Sequence, residues 1–99
     1  PVIREGVEHV FHLYVVKSRH QQDLMAHLKS QDVHAGIHYP VPVHLQPAYQ
    51  RRLRTAASMV VTEGLSKEVL SLPIFPELPF EDLKLVANAT NSFTSEILV

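Results

Sequence analysis

Seven histidines stand in a 99-residue sequence without cysteine, so imidazole is the side chain most able to ligate a metal or move a proton. Their spacing argues against a shared ion. His9 and His12 are three apart in a stretch that reads as a strand, so they point to opposite faces. His20 and His27 are seven apart on a predicted helix, two turns or about 10 Å, too far to share one metal. His34 and His38 share a predicted strand face about 7 Å apart, but no carboxylate cluster is spaced to complete their set. No metal site is expected.

Nucleophilic and phosphate chemistry find no better support. Ser18 reads as a helix cap and Ser58 as a loop residue, and no Gly-x-Ser-x-Gly elbow exposes a nucleophile. The glycines, Gly6, Gly36 and Gly64, are too scattered for a phosphate loop. Arg51, Arg52 and Arg54 read as a solvated helix face, with phosphate or partner binding as the alternative. No catalytic residue is assigned within this chain.

What remains is the segment Gly36-Ile37-His38-Tyr39-Pro40-Val41-Pro42-Val43-His44-Leu45-Gln46-Pro47-Ala48-Tyr49. Each proline fixes its own φ and pushes the preceding residue toward extended backbone. A stiff loop bearing imidazoles and phenols loses little freedom when a ligand arrives. The competing reading makes His38 and His44 sheet-edge side chains bonded to backbone, and buries Tyr39 beside Ile37 and Val33. Gly36 tilts the balance, because a mid-strand glycine often marks close approach by a backbone or a ligand.

The elements that must position this segment follow from periodicity. Residues 9–16 read as a strand, with Phe11, Leu13 and Val15 on one face and Val10, His12, Tyr14 and Val16 on the other. Both faces are apolar, and the second is expected to need cover from outside this chain. Ser18 to Gln21 has capping-box spacing ahead of a helix reaching about Ser30, with Leu24, Met25 and Leu28 buried. Residues 33–39 alternate as a second strand. Pro47 is placed to open a short helix carrying Tyr49 and Leu53, and residues 55–58 read as a loop. Val61, Leu65 and Val69 predict a helix over 61–69 despite Gly64. Residues 70–76 give a third strand, which Pro73 confines to an edge or an end. Pro79 opens a last helix with Leu83, Val86, Ala87 and Thr90 inward, and beyond Phe93 a frayed tail is expected. The sum is α+β: a small, mostly antiparallel three-stranded sheet with helices packed on one face.

A hydrophobic content of 45% and a net charge of -1 fit one small domain spanning residues 1–99. No basic stripe suggests nucleic acid, and no apolar run is long enough to span a membrane or read as a signal peptide. The lack of cysteine fits a reducing, cytoplasmic setting. Because the chain begins Pro1-Val2-Ile3, it is expected to be a piece of a longer polypeptide.

Read as a whole, the sequence resembles the C-terminal small domain of the DegT/DnrJ/EryC1/StrS family of sugar aminotransferases, which are fold-type I enzymes dependent on pyridoxal phosphate. The resemblance runs from about Glu8 to Phe93. It rests on the strand at 9–16, the helix around Asp23 to Leu28, Gly36 through Tyr49, Thr62-Glu63, and Val69 to Leu78. The His-Tyr-Pro and Leu-Ser-Leu-Pro segments are its most specific pair. The stretch Ala57-Ser58-Met59-Val60 departs from the Gly-Asp-x-Pro-like turn usual there. Pro79-Phe80-Glu81-Asp82 departs from the usual threonine and acidic cap.

The resemblance implies a large N-terminal domain, absent from this chain, that holds the Schiff-base lysine and most cofactor ligands. The parent is then a homodimeric transaminase that moves an amino group, with glutamate the expected donor, onto a nucleotide-linked keto-sugar. The His-Tyr-Pro form leans toward the sugar's C3. The resemblance also implies that Gly36, Ile37, His38, Tyr39 and His44 lie toward the substrate, with His38 as a hydrogen-bonding contact. Pyridoxal phosphate is not expected to bind this piece alone, which should be inert. The alternative is a free-standing, non-enzymatic α+β binding module.

Overall fold

Strand β2, Val69–Leu72, organises the chain. The computed structural model describes residues 2–93, and in it β2 pairs antiparallel with β1, Tyr14–Lys17. The register sets Tyr14 opposite Leu72 and Val16 opposite Leu70. The elements run β1, α1 (Gln21–Ser30), α2 (Val60–Leu65), β2, α3 (Phe80–Asn91), with a 3₁₀ turn at Val43–Leu45. The class is α+β, as the sequence predicts.

The strand expected over residues 33–39 shrinks to one bridge. Gly36 and Ser71 exchange two backbone hydrogen bonds, of 3.0 and 2.7 Å, on the side of β2 away from β1. Continuing that register would set His34 against Pro73, which has no N–H to donate. The ladder stops there, and among the described residues the sheet has two strands rather than three.

The core lies on one face. Val16, Leu24, Leu28, Val33, Leu70, Val86 and Ala89 are buried together, with Ile37, Ala35, Met25, Leu72 and Phe93 packed around them. Alternation places Val16 and Leu70 side by side, and α1 and α3 cover them from the same side. The face expected to need outside cover is therefore partly covered by this chain itself: Val16 is 1% exposed. Its other members remain open, Val10 being 88% exposed.

Several boundaries differ from expectation for local reasons. β1 starts at Tyr14 rather than residue 9 because Phe11 takes φ 47°, donating its N–H to His9 Nδ1 at 2.8 Å and breaking the extended path. Ser18 Oγ does accept from the His20 N–H, at 3.1 Å. Gln21 does not reach back to complete a capping box. It is buried, and its side-chain amide donates to the carbonyls of Ser66 (3.2 Å) and Val69 (2.7 Å), tying α1 to the turn before β2. The helix expected over 61–69 ends at Leu65. Glu68 N–H donates back to Leu65 O, and the chain then extends into β2.

The helix expected from Pro47 is a run of turns instead, with Arg51 at φ 61°. The arginines accordingly stand exposed on a turn, not on a helix face. α3 follows Pro79, but its buried positions are Val86 and Ala89. Leu83 and Ala87 instead border an apolar hollow of about 290 Å³ beside Tyr14 and Leu72. The frayed tail expected beyond Phe93 lies outside the described residues. No helix among the described residues is long and apolar enough to cross a membrane.

Candidate functional site

The face of β2 opposite the core carries Val69 and Ser71, since strand residues two apart share a side. Around Val69 lies a hollow of about 360 Å³. Its polar groups are His38, Tyr39, Gln46, Thr62 and Ser66; Val41, Pro42, Val43 and Leu65 add apolar surface. The proline loop, one side of α2 with the residue after it, and the start of β2 thus converge on one place. Among the described residues no lysine, arginine or carboxylate lines it. Such a wall suits a ligand bound by neutral hydrogen bonds and apolar contact rather than by ion pairing.

His38 sits where the Gly36 bridge hands over to the loop. Its Nδ1 lies 3.0 Å from the Ser71 hydroxyl, and its ring meets Tyr39 edge-on at 5.5 Å. The peptide between these two residues is cis. Tyr39 is 73% exposed. It does not join Ile37 and Val33 in the core, because the ladder that would enforce alternation ends at Gly36.

The remaining site residues have other surroundings. His44 turns away to α2, where its Nε2 meets Glu63 Oε1 at 2.9 Å and its side chain is only 12% exposed. This contact pins the loop to the helix beside the hollow. Ile37 packs against the core. Gly36 lies under the imidazole: a Cβ there would stand 3.0 Å from His38 Cε1. The structure therefore brings His38 and Tyr39 to the hollow, with Gly36 as the space and His44 as the clamp behind.

Gln46, Thr62, Ser66 and Ser71 were not singled out as site residues from the sequence. Ser71 had a usable signal, as a lone polar residue between Leu70 and Leu72 in a predicted strand. Thr62 enters the sequence reading only within the Thr62-Glu63 segment of the family resemblance, and Ser66 has no signal, because the approach of α2 to the loop is tertiary. The other histidines stay apart. His27 binds the α3 end through Ala89 O (3.1 Å) and Ser92 Oγ (3.0 Å). Among the described residues no three His, Asp or Glu side chains are grouped to hold a metal.

The chain can now be set beside known proteins. A model of the DegT/DnrJ/EryC1/StrS aminotransferase family matches residues 2–91. A dTDP-3-amino-3,4,6-trideoxy-alpha-D-glucose transaminase of Streptomyces venezuelae is 33% identical over 97 residues, 98% of this chain and 26% of the relative. The crystal structure of a DegT DnrJ EryC1 StrS aminotransferase from Brucella abortus superposes with TM-score 0.86 at 27% identity, covering 97% of this chain and 26% of the other. The structure of S. venezuelae DesV in complex with a ketimine intermediate gives TM-score 0.79 at 34% identity, covering 92% of this chain and 25% of the other. The chain spans about a quarter of the length of the curated relatives it matches.

Proposed function

The chain belongs to the DegT/DnrJ/EryC1/StrS aminotransferase family, and from that premise we propose that it is the C-terminal domain of a transaminase acting on a nucleotide-linked keto-sugar. The observation that carries this reading is the convergence of His38, Tyr39, Gln46, Thr62 and Ser66 on one hollow at the rim of the sheet, lined by no charged side chain among the described residues. Hydroxyls, an amide and an imidazole match the hydroxyl and carbonyl oxygens of a sugar and a base. Val41, Pro42, Val43, Leu65 and Val69 offer apolar contact beside them. Similarity to a transaminase of dTDP-amino sugars supports the substrate class.

Within that proposal the chain supplies one wall and not the chemistry. Pyridoxal phosphate, the family's cofactor, would be held through a lysine and would supply the electron sink for amino transfer. The residues described here do not fit that task. Lys17 is paired with Glu68 at 3.0 Å, and Lys84 with Glu81 at 3.1 Å. Lys29 and Lys67 are exposed, and no lysine borders either hollow. The cofactor is assigned to a large domain N-terminal to this chain, and the parent to a cytoplasmic homodimer with glutamate as amino donor. Here His38 orients the substrate by hydrogen bonding, Tyr39 packs or hydrogen-bonds beside it, and His44 holds the loop against α2.

The test is a transaminase assay of the full-length parent and its His38→Ala variant on a panel of nucleoside-diphosphate keto-sugars. The variant is expected to lose about tenfold in kcat/KM for the best substrate, the value of one substrate hydrogen bond. Unchanged KM and kcat would return His38 to a sheet-edge role. The competing reading, a free-standing binding module, predicts no upstream in-frame segment with a Schiff-base lysine. It also predicts no amino transfer by any longer form.

A further inference from the structure

Ser71 is 5% exposed, and its backbone N–H and C=O are both committed to Gly36. Its hydroxyl lies 3.0 Å from His38 Nδ1, its one hydrogen-bond partner among the described residues. A buried hydroxyl must give its proton to an acceptor, and a neutral imidazole has one accepting nitrogen and one N–H. If Nδ1 carried the proton, the Ser71 hydrogen would have no acceptor among the described residues. The pair is satisfied when Ser71 Oγ–H donates to Nδ1. The imidazole proton then sits on Nε2, which has no partner among the described residues.

We infer that Ser71 is a positioning residue for His38, fixing the tautomer in which Nδ1 accepts and Nε2–H is offered outward. Gly36 completes the device. Its missing Cβ leaves the room in which the ring lies across the sheet, since that atom would stand 3.0 Å from Cε1. The consequence for recognition rests on the ligand-facing role proposed above for His38. The substrate atom met there is an acceptor, a hydroxyl, carbonyl or phosphoryl oxygen, and not an ammonium group. The strand residue after Leu70 thereby selects the polarity of a contact made by a loop 33 positions earlier.

The full chain, labelled with ¹⁵N and ¹³C in its histidines, reports the tautomer directly by NMR at alkaline pH, where imidazole is neutral. The expected result is Nε2–H at His38. In Ser71→Ala the Nε2–H to Nδ1–H ratio is expected to fall about five- to tenfold, the value of one hydrogen bond. Ser71→Thr, which keeps the hydroxyl, is expected to restore it. Gly36→Ala is expected to shift the ratio as Ser71→Ala does, by displacing the ring. A predominantly Nδ1–H tautomer in the unmodified chain overturns the inference, whatever the variants do. So does a folded Ser71→Ala chain with an unchanged ratio. Because no ligand is present, failure here leaves the proposed substrate contact standing. A native tautomer with unaltered kinetics in His38→Ala would instead sink the contact alone.

Discussion

Leu70 and Ser71 are consecutive in β2, yet one is wholly buried between α1, α3 and β1 while the other anchors a histidine beside an open hollow. The first face is held by apolar area, which is non-directional and tolerates small shifts. The second is held by single hydrogen bonds, which are directional and individually weak. The fold should therefore be sensitive to volume on one side of the sheet. The site should be sensitive to polarity on the other.

The largest expected effect breaks the first face. Leu70→Ala should cost about 3 kcal/mol, because the surrounding helices cannot collapse fully into the space. Urea denaturation checks this, and a loss below about 1 kcal/mol would mean that this side is not close-packed. Next comes the link between the faces. Gln21→Ala strips the amide from the Ser66 and Val69 carbonyls, and about 2 kcal/mol should be lost for leaving them unsatisfied.

On the site side, His44→Ala should cost about 1 kcal/mol. It should also speed proteolysis or amide exchange in the loop, without a comparable change at Val16 or Leu70. Uniform acceleration across the chain would show that the loop and the core open as one unit, erasing the contrast. The smallest effect is Lys17→Ala. Its pairing with Glu68 is partly open to solvent, so less than about 1 kcal/mol should be lost, and raising the salt concentration should shrink that further.

These contrasts also explain what could be read in advance. Helix α1 was legible because Leu24 and Leu28 repeat at helical spacing and are both buried. α3 was legible from Pro79 and the recurrence at Val86, although Ala89, not Ala87, completes its inner face. The strand at 9–16 was overread, because β-branched composition does not reveal a side chain such as His9 that captures the Phe11 N–H and turns the chain. The strand expected over residues 33–39 shortens for a different reason. Its partner position is Pro73, and that conflict becomes visible only when the register is known. His38 and Tyr39 were legible as candidates from the prolines around them. Ser66 was not, because nothing local signals that α2 will close the far side of the hollow.

The single bridge at Gly36 has a further consequence. Residues 38–68 contribute no side chain to the buried cluster or to the partly buried ring around it. Beyond the backbone at Gly36 and the start of β2, they are tied to the strands and α1 near their two ends, through His38 to Ser71, Gln21 to Ser66, and Ser18 N–H and Lys17 to Glu68. The part between these ties can be lengthened or shortened with little cost to the core, since doubling a loop adds only about 0.6 kcal/mol of closure entropy. The middle of the loop is therefore the part of the chain whose sequence can change most freely while the helices and the strand pair beneath stay as they are.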